Sequence, residues 1–201
     1  MRTYSLGTTY SLGTLLGLRT TITTLGIICY LGVWFLATVL GRWLVRLPLG
    51  TAVAAGLLSA LMFFLCEWLH QFGHALAAWS VGHPMVGIHY FNLFSASQYP
   101  ADEPPLPART HVTRALGGFW INTIIGLLLL PVALDLWPRG REILPTTVSL
   151  VAWLAGFGMV TNLLVLGLGA LIPLKIPGGG LNDGGTLLHY WLERQRKAQG
   201  T

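Results

Sequence analysis

Four long apolar runs, at about 22–43, 51–80, 112–137 and 146–172, leave this chain few ways to fold. Each reaches or exceeds the roughly 20 residues that a helix needs to cross a ~30 Å hydrocarbon core. Only 9% of the 201 residues are charged and 53% are hydrophobic, whereas an average soluble domain carries roughly 25% charge. A soluble protein of this size needs a charged coat that this chain cannot supply. Composition therefore excludes an ordinary soluble enzyme, a disordered tail and a collagen-like chain. The expected fold is an all-α polytopic membrane protein with about four transmembrane helices, forming one membrane domain over 1–201.

The segments between the runs refine that picture. Tyr4-Ser5-Leu6-Gly7-Thr8 is repeated as Tyr10-Ser11-Leu12-Gly13-Thr14, but two six-residue copies do not make a solenoid. Residues 1–21 lack a cleavable apolar core, so the first run is expected to stay as an anchor. The Leu- and Thr-rich stretch up to Thr24 reads as a short strand or interfacial segment. Pro48 and Gly50 separate the first two runs, and the second, at 1.5 Å per residue, would be roughly 45 Å long and must tilt or project. Residues 81–112 hold five prolines and read as a loop, with a short membrane-associated hairpin around Val86 to Phe94. A basic loop (Arg139, Arg141, Pro145) joins the last two runs, and Pro173, Pro177 and a glycine-rich turn follow. Residues 186–197 form a short amphipathic helix suited to the interface, with Leu187, Leu188 and Trp191 on one side and Arg194, Arg196 and Lys197 at its end.

The net charge of +5 comes from twelve scattered Lys and Arg. They form no basic stripe with interleaved aromatics, so nucleic acid is not an expected partner; the lipid bilayer is. Read as topology signals, eight of them (Arg2, Arg19, Arg109, Arg114, Lys175, Arg194, Arg196, Lys197) fall on the side of the termini. Arg42, Arg46, Arg139 and Arg141 fall on the other, which places both termini in the cytoplasm. The eight tryptophans lie mainly near span ends, as an aromatic belt does. Cys29 and Cys66 both sit in apolar runs and make no disulfide framework.

Ionisable groups inside a span are costly and need a reason. Glu67, His70 and His74 stand near the end of the second run. His70 and His74, four residues apart on a helix, lie about 40° apart on one face, one turn up. Such a pair can hold a metal ion, and an unpaired imidazole in lipid has no easy partner. Glu67 shares that face and could pair with a histidine, bind metal, act as a base through water, or stay protonated by burial. Cys66 could add a thiolate or simply pack as a small apolar side chain. His83, His89, His111 and His189 read as interfacial side chains. Asp183 lies in a glycine-rich break after the fourth run, and irregular backbone at membrane depth is tolerated only beside protein or a water-filled cavity.

The string His70-Gln71-Phe72-Gly73-His74 is one residue from H-E-x-x-H. With its surroundings the sequence resembles the site-2 protease family of intramembrane zinc metallopeptidases over most of its length. Ser11-Leu12-Gly13 to Gly17-Leu18-Arg19 is similar to that family's strand before the first span, and Val86 to Phe94 to its membrane-associated hairpin. Leu116-Gly117-Gly118-Phe119 to Asn122 resembles its A-G-P-x-x-N segment. Asn162-Leu163-Leu164, Pro173 and Asn182-Asp183-Gly184-Gly185 resemble its N-x-x-P…L-D-G-G block. The resemblance implies a zinc ion on His70, His74 and Asp183, substrate contacts at Asn122 and Asn162, and a transmembrane-helix substrate.

The departures bear on activity. In that family the glutamate after the first histidine takes a proton from water polarised by the metal. Gln71 stands there, and an amide cannot accept a proton at neutral pH. Phe119 replaces the proline, Ala170 falls where a second asparagine is expected, and the stretch from Pro173 to Asp183 is longer than usual. Because several positions drift together, Gln71 reads as natural divergence rather than one engineered exchange. The implied function is a zinc metalloprotease scaffold that cuts transmembrane substrates only with a substitute base, for which Glu67 is the candidate. The alternative is an inactive pseudoprotease that binds helices or serves as a subunit of a larger membrane complex.

Overall fold

The computed structural model describes residues 7–139, 146–176 and 180–199. The loop around Arg141 and Pro145, the first repeat copy through Leu6, and Pro177 lie outside the described residues. Thr9–Leu15 forms β1 and Leu18–Thr23 forms β2; α1 is Thr24–Leu44 and α2 is Leu49–Ser80. Then come β3 (Gly87–Tyr90), β4 (Ser95–Gln98) and α3 (Ala108–Arg139). Helix α4 (Thr146–Met159) continues as a π-helical stretch, Val160–Gly167, and a 3₁₀ turn, Leu168–Leu171; β5 (Lys175–Ile176), β6 (Gly180–Leu181) and α5 (Asp183–Ala198) complete the chain. Four helical segments, Thr24–Leu44, Leu49–Ser80, Ala108–Trp137 and Thr146–Leu171, are long and apolar enough to cross a membrane. The protein is an all-α polytopic membrane protein, and its faces show it: Phe35, Trp43, Leu128 and Leu134 stand largely exposed, as side chains against lipid do.

The interfacial segment is more elaborate than one strand. Leu16 and Gly17, both at positive φ (49° and 81°), make a two-residue turn whose twist suits a tight hairpin, so β1 folds back on β2. Strand β2 then runs parallel to β3, and β3 antiparallel to β4, giving one sheet in the order β1-β2-β3-β4. The parallel pair is possible because α1 and α2 intervene as the crossover. Thr23 ends β2 and caps α1: its hydroxyl accepts the Gly26 N–H at 3.0 Å and donates to the Phe91 carbonyl at 2.8 Å. The hairpin expected to end near Phe94 extends to Gln98, because the Asn92 side chain accepts the Phe94 N–H and makes residues 91–94 the turn.

The sheet packs on the end of α2, with Ile88 and Tyr90 fully buried against Trp68, Phe64 and Phe72. Helices α2 and α3 approach closely at Gly73 and Gly117, where a Cβ on either would strike the other's backbone carbonyl. Small residues at a crossing let membrane helices bring their polar groups within bonding distance of each other. That crossing sits beside His70 and His74.

Candidate metal centre

Helix α2 places Glu67, His70, Gln71 and His74 on its buried side. Across the glycine crossing, α3 contributes Arg114, Gly118 and Asn122. The third element is α5. Asn182 caps it, its side chain accepting the N–H groups of Gly185 (2.9 Å) and Leu174 (2.8 Å) while its amide donates to the Ile172 and Ala170 carbonyls. The break expected around Asp183 is thus short, and Asp183 is already the first residue of the helix.

Among the described residues, His70, His74 and Asp183 form a group whose ligand atoms all lie within 4.8 Å of one another. The two Nε2 atoms are 3.1 Å apart. Asp183 Oδ2 is 3.2 Å from His70 Nε2 and 3.4 Å from His74 Nε2. The far nitrogens decide what these atoms are. His74 Nδ1 is 2.7 Å from the Arg114 carbonyl, which can only accept, so Nδ1 carries the proton. The Gly118 N–H at 3.4 Å from the same nitrogen is therefore not a working bond. His70 Nδ1 faces Asn122 Oδ1 at 2.9 Å. The Asn122 amide is oriented by its own donors, to Asn162 Oδ1 (2.7 Å) and the Cys66 carbonyl (3.3 Å), so Oδ1 must face His70 and accept.

Both Nε2 atoms thus present lone pairs, toward each other and toward a carboxylate oxygen. Three acceptors at 3.1–3.4 Å repel unless a cation or a proton stands among them. Ligands held 2.0–2.1 Å from a tetrahedral ion lie about 3.3–3.4 Å apart, so the spacing and the donor set fit zinc. With a cation among them, Asp183 would ligate as the carboxylate, its charge balanced by the ion.

Asn122 and Asn162 are almost wholly buried and bonded to each other. Asn162 also donates to Cys66 Sγ at 3.1 Å and to the Gly158 carbonyl at 2.8 Å, in the widened π turn of the fourth span. A line of bonds therefore runs from that span through Asn162 and Asn122 to His70. Gln71 and Glu67 face the free edge of β4. Gln71 Nε2 donates to the Ser95 carbonyl (3.3 Å), and its Oε1 accepts from Ser97 Oγ (2.7 Å). Glu67 Oε1 accepts from both the N–H and the hydroxyl of Ser95, each at 2.7 Å, while its Oε2 is buried without a hydrogen-bond partner among the described residues. Glu67, Gln71, Ser95 and Ser97 line one cavity of about 630 Å³ that also reaches His70, His74, Asp183 and Tyr99.

Sequence reasoning missed Arg114. Its backbone orients His74, while its guanidinium lies over the Tyr99 ring and pairs with Glu103, holding the loop before α3 against the site. Hydrogen bonding to Arg114 keeps the Glu103 pKa below the ordinary carboxylate value. Only an arginine in the apolar third run could have marked the position. Gly118 was also missed: a Cβ there would stand 2.5–2.7 Å from ring atoms of His70 and His74. The remaining histidines lie outside that group, though His89 and His111 line the same cavity. His89 Nδ1 meets Thr21 Oγ1 at 2.9 Å, His111 stacks on Tyr190, His189 packs edge-on to the same ring, and His83 lies 3.9 Å from Glu103. Phe119 packs edge-on to Trp120, and the Ala170 carbonyl accepts from the Asn182 amide.

No family model matches the chain, and no curated protein matches it. Among solved structures it is similar to the Site-2 Protease from Methanocaldococcus jannaschii, at 16% sequence identity and a TM-score of 0.56, over 93% of this chain and 73% of that one. At that identity the likeness is one of fold. The protein is an integral membrane protein built on the fold of a site-2 protease.

Proposed function

We propose that this protein holds one zinc ion on His70, His74 and Asp183 and receives a transmembrane helix in the adjoining cavity, with its peptidase chemistry lacking a general base. The observation that carries the reading is the convergence of three lone-pair donors with both imidazole Nδ1 protons already engaged. Zinc, when bound, supplies Lewis acidity that polarises a carbonyl and makes water more acidic. The residues do the rest. Asn122 and the Arg114 carbonyl keep both rings in the ligating tautomer. Asn162 holds Asn122; contact of either asparagine with substrate would require breaking those bonds. Gln71 can hold a water but cannot take its proton. The purified protein is expected to contain one zinc per chain by elemental analysis, removable by a strong chelator. A zinc-free preparation that also fails to take up added zinc would end the reading.

A second reading, a pseudoprotease that binds helices or completes a larger membrane complex, is favoured by one observation. Both ends of the Gln71 amide are engaged by β4, so the residue at the base position acts as a structural clamp. Glu67 is the substitute base should the unmodified chain cut a substrate.

Two further outcomes follow from the same reading. Gly118→Ala is expected to push the rings of His70 and His74 apart and weaken zinc binding about 10–100-fold, the range for losing an orienting contact; titration against a chromophoric chelator reads it. Both termini are placed in the cytoplasm by the eight-to-four distribution of basic residues. Reporter fusions at Thr201 and within 139–145 should report opposite sides of the membrane, with the Thr201 fusion inside.

A further inference from the structure

We propose that the groove between the start of α3 and α5 binds one anionic phospholipid, its phosphate on Arg109 and Arg194. The groove has a volume of about 870 Å³ and lies where the third span begins and the 3₁₀ end of the fourth, Leu171, meets α5. That is a span end, the depth of lipid headgroups. Its lining is mostly apolar, with Val112, Leu171 and Leu187, and includes three cations, Arg109, Arg194 and Lys197. Of these, Lys197 is already paired with Glu193 at 2.7 Å. Arg109 and Arg194 are exposed and have no ion-pair partner among the described residues. Helix α5 also exposes Leu188, Trp191 and Leu192 in an i, i+3, i+4 pattern. An amphipathic helix of this kind lies in the interface plane with that face among acyl chains.

Two unpaired guanidiniums in a mostly apolar groove match one ligand chemistry, a phosphodiester attached to hydrocarbon. Arginine presents a planar fork that fits phosphate oxygens. A zwitterionic lipid offers the same phosphate with a cation beside it, so the net charge of the headgroup decides the preference. A basic residue near an anionic surface contributes about five-fold in affinity, and two together about 25-fold. The proposal does not rest on the zinc reading.

Native mass spectrometry of the detergent-purified protein, titrated with dioleoylphosphatidylglycerol or dioleoylphosphatidylcholine, tests it. One phosphatidylglycerol should be retained about 25-fold more tightly than phosphatidylcholine. The Arg109→Gln/Arg194→Gln double variant should erase that preference. A charge-matched control, Arg19→Gln/Arg46→Gln, removes two exposed arginines outside the groove and should keep it. Val112→Trp leaves every charge in place but fills the groove, and should also weaken phosphatidylglycerol binding. Equal binding of the two lipids, equal loss in the control, or unchanged binding by Val112→Trp would each overturn the proposal. Displacement of the lipid by millimolar inorganic phosphate would overturn it too, in favour of a free-phosphate site.

Discussion

Gln71→Glu is expected to raise cleavage of a helical membrane substrate at least ~100-fold over the unmodified chain, the lower end of what a positioned general base contributes. The exchange hardly changes volume, so α2 should tolerate it. Its local effect goes beyond adding a base. The Gln71 amide now donates to the Ser95 carbonyl and accepts from Ser97 Oγ. A carboxylate keeps the second bond but sets two acceptors against each other at the first. That repulsion frees the new side chain from β4 and lets it reach toward the His70/His74/Asp183 cluster in the shared cavity. Single-turnover cleavage in detergent or vesicles, with and without chelator, reads the outcome. A zinc-loaded Gln71→Glu protein that stays silent would place the block in substrate docking and favour the helix-binding role. Zinc-dependent cleavage by the unmodified chain would overturn the expectation, and Glu67→Gln would then be the variant to lose it.

The second large effect is a graded loss of metal. A structural zinc site with four ligands is worth ~10–16 kcal/mol, or ~2.5–4 kcal/mol per ligand. His70→Ala, His74→Ala and Asp183→Ala should therefore each weaken zinc binding by about 10²–10³. Asn122→Ala removes an orienting bond, not a ligand, and should cost about 10–100-fold. The order of the series matters more than its absolute scale. If Asp183→Ala binds zinc like the parent while both histidine variants fail, α5 is not part of the centre. If Asn122→Ala equals His70→Ala, the ring depends wholly on that bond for its tautomer. Competition with a chromophoric chelator covers this range, and a thermal melt of each variant separates ligand loss from unfolding.

Much of the architecture is legible in the sequence. Spans show as apolar runs because lipid leaves the backbone no other partner than its own helix, so composition and length suffice. His70 and His74 were legible as a pair for the same local reason: four residues is one helical turn. The strand before the first span and the hairpin after the second were visible as segments. Their joining was not, since β2 meets β3 across the whole of α1 and α2.

What the tertiary structure alone decided is the set of long-range contacts that gathers two histidines and Asp183 into one cluster. The Arg114 carbonyl and the Asn122 amide reach the rings only because Gly73 and Gly117 let α2 and α3 come close. Backbone carbonyls leave no mark in sequence, and a glycine marks proximity only once its neighbour is known. Asp183 joins them because Asn182 ties the start of α5 to the end of the fourth span. Gln71 reads in sequence as an absent base, and only the fold shows it gripping β4. Periodicity within one helix is a local property and survives in the sequence; the distance between two helices is set by packing and does not.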